Sequence, residues 1–166
     1  MPDSQRVEII GRNHLVNELL LDDIEVARPE RDRGVDLIAY IDLDETGGGF
    51  AACPIQMKAS TKKSFALVKK YEKFSRLLLV FIWGLDDPEQ TEVFALTYAE
   101  SHVVADQMGW LKTASWLDNG KYTNNEPGVR LRSLLEPYRM ERGAWKQKIR
   151  SVASDAGSPI ANLEMT

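Results

Sequence analysis

Asp36, Gln56 and Lys58 are the residues of this chain whose types and spacing offer joint chemistry. In an antiparallel hairpin, opposed residues keep a constant index sum. A turn centred at 46 therefore sets Asp36 opposite Gln56, and one centred at 47 sets it opposite Lys58. Both centres fall within Glu45–Gly48, at or just before the triple glycine Gly47–Gly49. The start of the first strand and the end of the second then lie side by side, and a carboxylate, an amide and an ammonium meet. Period-two alternation puts Gln56 and Lys58 on one face and Ile55, Met57 and Ala59 on the other, with Leu37, Ala39 and Ile41 alternating away from Asp36. The apolar face is expected to pack on a helix.

The metal chemistry open to such a group is oxygen chemistry. A lone cysteine, Cys53, and two histidines, His14 and His102, do not build a zinc site of the usual composition. A hard cation held by oxygen remains. Cys53 reads as a small buried hydrophobe, and the histidines as helix-surface or core residues. Trp83, Trp110, Trp116 and Trp145 read as core or interface residues before base-stacking ones.

The net charge of −4 argues mildly against nucleic acid, but the charges are segregated. Seven basic residues against one acid fall between Lys58 and Arg76, and seven more against two acids between Arg130 and Arg150. The acids gather at Glu18–Glu45 and Asp86–Glu100. That asymmetry is what a basic binding face on an acidic protein looks like, and equally what solvated charged faces look like.

The 166 residues fit one α/β (α+β) domain over 1–152, followed by a loosely ordered tail over 153–166. Hydrophobic residues make up 43% and charged residues 28%, the balance of a globular chain. The longest apolar run, Leu77–Trp83, is too short to span a membrane, and the polar N-terminus does not resemble a signal peptide, so a cytoplasmic protein is expected.

Apolar spacings of three and four predict a helix over Val7–Leu21, with Ser4 as its cap. Ile24–Arg28 is a short strand candidate ahead of Pro29. Val35–Asp42 and Phe50–Lys58 flank the glycine turn as a hairpin, with Pro54 pushing part of the second strand toward an edge or a bulge. Phe65–Ser75 is ambiguous between strand and helical turn. Leu77–Trp83 and Glu92–Thr97 read as strands. Thr97 or Ser101 caps a helix to about Met108, and Gly128–Tyr138 reads as another helix.

Gly34-Val35-Asp36-Leu37-Ile38 followed, twenty residues after Asp36, by Gln56-Met57-Lys58 resembles the Asp…(Glu/Gln)-X-Lys core of the restriction-endonuclease-like, PD-(D/E)XK nucleases. The preceding helix and strand, and the basic segment after the lysine, resemble that family's order of elements. The likeness covers about Val7 to Val80. It implies a mixed central sheet flanked by helices. It also implies Mg²⁺ or Mn²⁺ held by Asp36 and Gln56, with Lys58 activating water and stabilising the charged phosphorane. A helix acid often joins the set. Glu8 is preferred for that place over Glu18. Gln56 departs from the commoner acid, and a neutral amide brings no charge to the metal.

The resemblance implies a metal-dependent endonuclease acting on DNA, with RNA the other nucleic acid to consider. Lys62, Lys63, Lys69, Lys70 and Lys73 would contact backbone phosphates. Cutting both strands with one site per chain calls for a homodimer or for sequential nicking. The alternative is a nuclease-fold protein that has lost catalysis and binds nucleic acid or protein. A third reading, an unrelated α/β domain with accidental spacing, expects the three residues not to converge.

Overall fold

Alternation along the chain builds a five-stranded sheet, and what covers each of its faces decides where a site can open. The computed structural model describes residues 3–42 and 49–155. Helix α1 (Ser4–Leu21) leads into strands β1 (Glu25–Ala27), β2 (Leu37–Ile41) and β3 (Ala51–Ala59). Strand β4 (Phe65–Val68) precedes β5 (Leu78–Trp83) and β6 (Glu92–Thr97). Helices α2 (Tyr98–Gln107) and α3 (Ala114–Asn119), strand β7 (Lys121–Asn124), and helices α4 (Val129–Leu135) and α5 (Trp145–Asp155) complete the order.

The sheet runs β1-β2-β3-β5-β6, every neighbour antiparallel except the parallel pair β3 and β5. A parallel pair requires a crossover over one face. Here it carries β4, which pairs with β7 as a separate two-stranded sheet. Mixed α/β architecture, with a mixed sheet flanked by helices, is thus the fold class.

One face buries Leu37, Ala39, Ile41, Cys53, Ile55 and Met57, the alternation read from the sequence. Leu15 and Leu19 of α1 and Trp145, Ile149 and Val152 of α5 cover it. Each fully buried aliphatic side chain contributes about 1.5–3 kcal/mol. The other face carries Leu79, Phe81, Trp83, Phe94 and Leu96 under β4, α2 and α4. Strand β5 is buried along its whole length because both of its faces are covered.

Helix α1 buries Val7, Gly11, Leu15 and Leu19, one stripe at a spacing of four. Gly11 lets the helix cross β3 closely, since a Cβ there would lie 2.5 Å from the Ala59 Cβ and 3.1 Å from Leu85 Cδ1. Gly11→Ala is therefore expected to destabilise the fold by about 1–2 kcal/mol, because overpacking outweighs the gain in helix propensity. A urea titration with an unchanged slope and a lower midpoint would bear this out; a midpoint at or above wild type would show that the helix shifts without cost.

The far end of α1 is tied to α5. The Asp22 carboxylate accepts from the Gly143 backbone N–H at 2.7 and 2.8 Å and from that of Trp145 at 3.2 Å, so one buried acid ends one helix and starts the other.

Several boundaries differ from expectation. Asp3, not Ser4, caps α1, accepting from the Gln5 N–H. Pro54 sits in the central strand, not at an edge, and is tolerated because the ladder to β5 begins at Ile55. The ambiguous Phe65–Ser75 stretch resolves into β4 and a 3-10 turn over Lys69–Tyr71. Gly128–Tyr138 divides into α4 and a 3-10 turn at Glu136–Tyr138. Helix α5 runs to Asp155, so residues 153–155 belong to the helix rather than to a tail; 156–166, like most of the glycine turn, lie outside the described residues.

Candidate active site

The helical cover of the second face stops short of β3, and there the polar residues collect. On that strand Pro54 and Gln56 are half-buried and Lys58 is exposed, whereas Leu79 and Phe81 beside them on β5 are buried. An open cleft of about 720 Å³ results, lined by Asp36, Gln56 and Lys58, with Glu8 from α1 and Lys62 and Lys63 from the segment after β3.

The observed register runs from Leu37 opposite Ile55 to Ile41 opposite Ala51. The ladder stops at Leu37: Asp36, one residue before β2, leaves the register and meets Gln56 through its side chain, so neither of the two pairings read from the turn is formed as a backbone pair. Gly34, at φ +91°, supplies the left-handed step that swings the chain into β2, and its N–H donates to Asp32 Oδ1. The Asp36 N–H then donates to the Ile55 carbonyl at 2.8 Å.

The Asp36 carboxylate is clamped. Its Oδ2 accepts from the Met57 N–H at 2.6 Å and from Gln56 Nε2 at 2.8 Å. Burial pushes its pKa above the ordinary 3.8; the Met57 hydrogen bond opposes the rise, Asp32 and Glu8 add to it, and Arg12 opposes it. A carboxylate that is costly to leave charged is one a cation would stabilise.

Gln56 presents its NH₂, not its carbonyl, to Asp36, and a half-turn of the amide would exchange them. Glu8 pairs with Arg12 one helical turn on. Glu18 is elsewhere, accepting from Trp145 Nε1 at 3.2 Å and lying 3.2 Å from His14 Nε2, so it holds α1 to α5 and does not line the cleft.

The lysines divide. Lys62 and Lys63 line the cleft, Lys63 paired with Glu92 at 2.9 Å. Lys70 and Lys73 line a second pocket, and Lys69 lies against Gly120, in neither. Trp83, Trp110, Trp145 and Cys53 are buried, and Trp116 packs partly buried against the second core cluster. Burial pushes the Cys53 thiol up to about 12, as suits an inert core residue.

Among the described residues no group of three or more His, Cys, Asp or Glu side chains is placed to hold a metal ion. The donor chemistry nevertheless fits a hard cation, which needs only one or two carboxylates and keeps several waters. The carboxylates of Asp36, Asp32 and Glu8 and the Gln56 carbonyl are among the oxygens that line this cleft.

Sequence reasoning missed Glu92, whose partners Lys63, Arg132 and Arg139 lie far from it in the chain. Compared with known proteins, the chain matches no family model, no curated protein and no solved structure. Among the described residues no helix is long and apolar enough to cross a membrane.

Proposed function

We propose that this chain is a metal-dependent nuclease of the restriction-endonuclease-like kind, hydrolysing phosphodiester bonds in DNA. The observation that carries this reading is the shared cleft: Asp36 and Gln56 in direct contact, with Lys58, Lys62 and Glu8 on the same walls. Asp36 and Glu8, with the Gln56 carbonyl, would hold Mg²⁺ or Mn²⁺. The cation would polarise the phosphoryl oxygens as a Lewis acid. Lys58, exposed on the cleft wall, sets its ammonium against the charge that builds at phosphorus when water adds and the P–O bond breaks. Lys62 would hold a flanking phosphate. Each chain offers one such site, so cutting a duplex through calls for two copies or two successive nicks.

Incubation with plasmid and Mg²⁺ or Mn²⁺ tests this. Relaxed and linear forms are expected with the wild type and not with Asp36→Asn or Lys58→Ala. Cleavage that survives both substitutions would come from a contaminant.

A second reading is favoured by a specific observation. The Gln56 amide donates to Asp36, and Glu8 is engaged with Arg12, an arrangement that is content without a cation. A nuclease-fold protein that binds nucleic acid, RNA included, or another protein without cutting would look like this. Gln56→Glu separates the two. It restores the missing negative charge, so in an active enzyme the Mg²⁺ concentration for half-maximal cleavage is expected to fall about tenfold. Wild-type inactivity combined with cleavage by Gln56→Glu would identify a degenerate site. Inactivity of both would remove the nuclease reading.

A further inference from the structure

Along the uncovered face of β3, Pro54 lies two residues before Gln56 and so about 7 Å from it on the same side of the strand. Pro54 opens onto a different pocket, of about 490 Å³, lined by Arg33, Gly34 and Val35, whereas Asp32 and Asp36 on either side of them line the first cleft. Its volume lies within the roughly 300–1,000 Å³ of small-ligand sites. Its walls are apolar and partly aromatic: Val35, Pro54, Tyr71, Phe74 and Leu77. Phe74 is 48% exposed although it is a large hydrophobic residue.

Its rim is cationic. Arg33, Lys70, Lys73 and Arg76 line it, and among the described lining residues there is no Asp or Glu. The Lys70 ammonium lies 4.9 Å from the Tyr71 ring centre and that of Lys73 lies 5.2 Å from the Phe74 ring centre. Neither ammonium has a carboxylate partner among the described residues, in contrast to Lys63 with Glu92. Aromatic walls within a ring of cations complement one ligand chemistry closely: a flat heteroaromatic base attached to phosphates. A stacked duplex does not offer its bases to such a pocket.

We infer that this pocket receives an unstacked nucleobase of a single-stranded or locally opened nucleic acid, its flanking phosphates held by Lys70, Lys73 and Arg33. The inference rests on the nuclease reading for what happens one nucleotide step away, where the same strand would pass Asp36 and Lys58. It adds the substrate class: the bound strand is single at the site. Phe74 is the stacking platform, and Pro54 and Val35 form the floor that keeps water from the base.

The test is a binding titration of the full chain in EDTA, so that no cutting intervenes. The probes are a fluorescent DNA strand, an RNA strand of the same sequence, the blunt DNA duplex, and a DNA strand of equal length with abasic sites throughout. At equal salt, at least one single strand is expected to bind about tenfold or more tighter than the duplex and the abasic strand. Phe74→Ala should lose about tenfold on that strand alone, and Phe74→Trp should recover it. Equal affinity for duplex, abasic and single strands overturns the proposal, as does indifference to Phe74→Ala. The outcomes also separate the two readings. Phe74-dependent single-strand binding without cleavage by any variant keeps the pocket and removes catalysis. Metal-dependent duplex cutting that ignores Phe74→Ala keeps the nuclease and removes the pocket.

Discussion

Asp36→Asn is expected to lower metal-dependent cleavage by at least about a thousandfold while leaving the melting temperature within a few degrees of wild type. The two halves of this result have one cause. Asp36 is held by the Met57 N–H and the Gln56 amide in a half-buried place beside Asp32 and Glu8, and burial raises its pKa above 3.8. A carboxyl whose pKa is raised on folding stabilises the native state most fully below its unfolded pKa, and that contribution is lost as pH rises through the folded value. At neutral pH the charged group is thus a burden on the fold. Asparagine removes the charge and keeps a side-chain oxygen for the Met57 N–H, and the Gln56 amide can turn to meet the new NH₂. Stability then changes little, whereas the charge that would draw a cation is gone. Two further readings follow. Mn²⁺ should raise the melting temperature of the wild type and not of Asp36→Asn, since only a site that binds the native state stabilises it. Mn²⁺ affinity should also weaken as pH falls, because proton and cation compete for a carboxyl whose metal-free pKa is raised by burial. Cleavage by Asp36→Asn at a tenth of the wild-type rate would remove Asp36 from the site.

The meeting of Asp36 with Gln56 was legible because a hairpin lays the start of β2 beside the end of β3, although the ladder stops at Leu37 and side chains, not a continued register, complete the contact. No tertiary knowledge was needed. The opposite holds for Pro54, which local chemistry assigns to an edge or a bulge. Its true place, in the central strand just ahead of the ladder to β5, follows from strand order, a non-local fact. Helix α5 carried a signal in Trp145, Ile149 and Val152, at helical spacing, but it lies within a stretch dominated by basic residues, and the charge run hid the period. Strand β7 is four residues long and half-exposed, so its partner β4, more than fifty residues earlier in the chain, is what makes it a strand. The division of the lysines between two pockets was illegible for a related reason. Lys62 and Lys70 are eight residues apart, yet β4 runs between them.

Glu92→Gln is expected to cost about 2–3 kcal/mol at pH 7, roughly 5–10 °C in melting temperature for a domain of this size. Glu92 opens β6, its side chain only 12% exposed, and meets three cations: Arg139 at 2.8 Å, Lys63 at 2.9 Å and Arg132 at 3.2 Å. Burial by itself would raise its pKa, but hydrogen bonds from Arg139 and Lys63 and the charges of Lys63 and Arg132 more than reverse this and hold it at about 2. Lys63 and Arg132 are more than a third exposed, so water screens their share, and Arg139 carries most of the effect, its guanidinium also lying over the Phe94 ring at 5.0 Å. A carboxyl with a lowered pKa stabilises the fold above its unfolded value, 4.5 here, and loses that contribution as pH falls toward about 2. The gap between wild type and Glu92→Gln should therefore be full at pH 7 and largely closed near pH 2.5. Glu136→Gln, at an acid 60% exposed that also pairs with Arg139, serves as the control, with a cost of no more than about 0.5 kcal/mol. Denaturant midpoints at both pH values check this, and a gap of equal size at both would show that Glu92 stabilises by packing instead of by charge. The same residue bears on the cleft, because Glu92 is the counter-charge of Lys63. With glutamine in its place Lys63 would be free to meet a phosphate, so nucleic-acid affinity should rise and its salt dependence steepen by about one unit of slope while the fold weakens. Stability lost and affinity gained in one variant is a pattern that neither a purely structural nor a purely binding role for Glu92 produces.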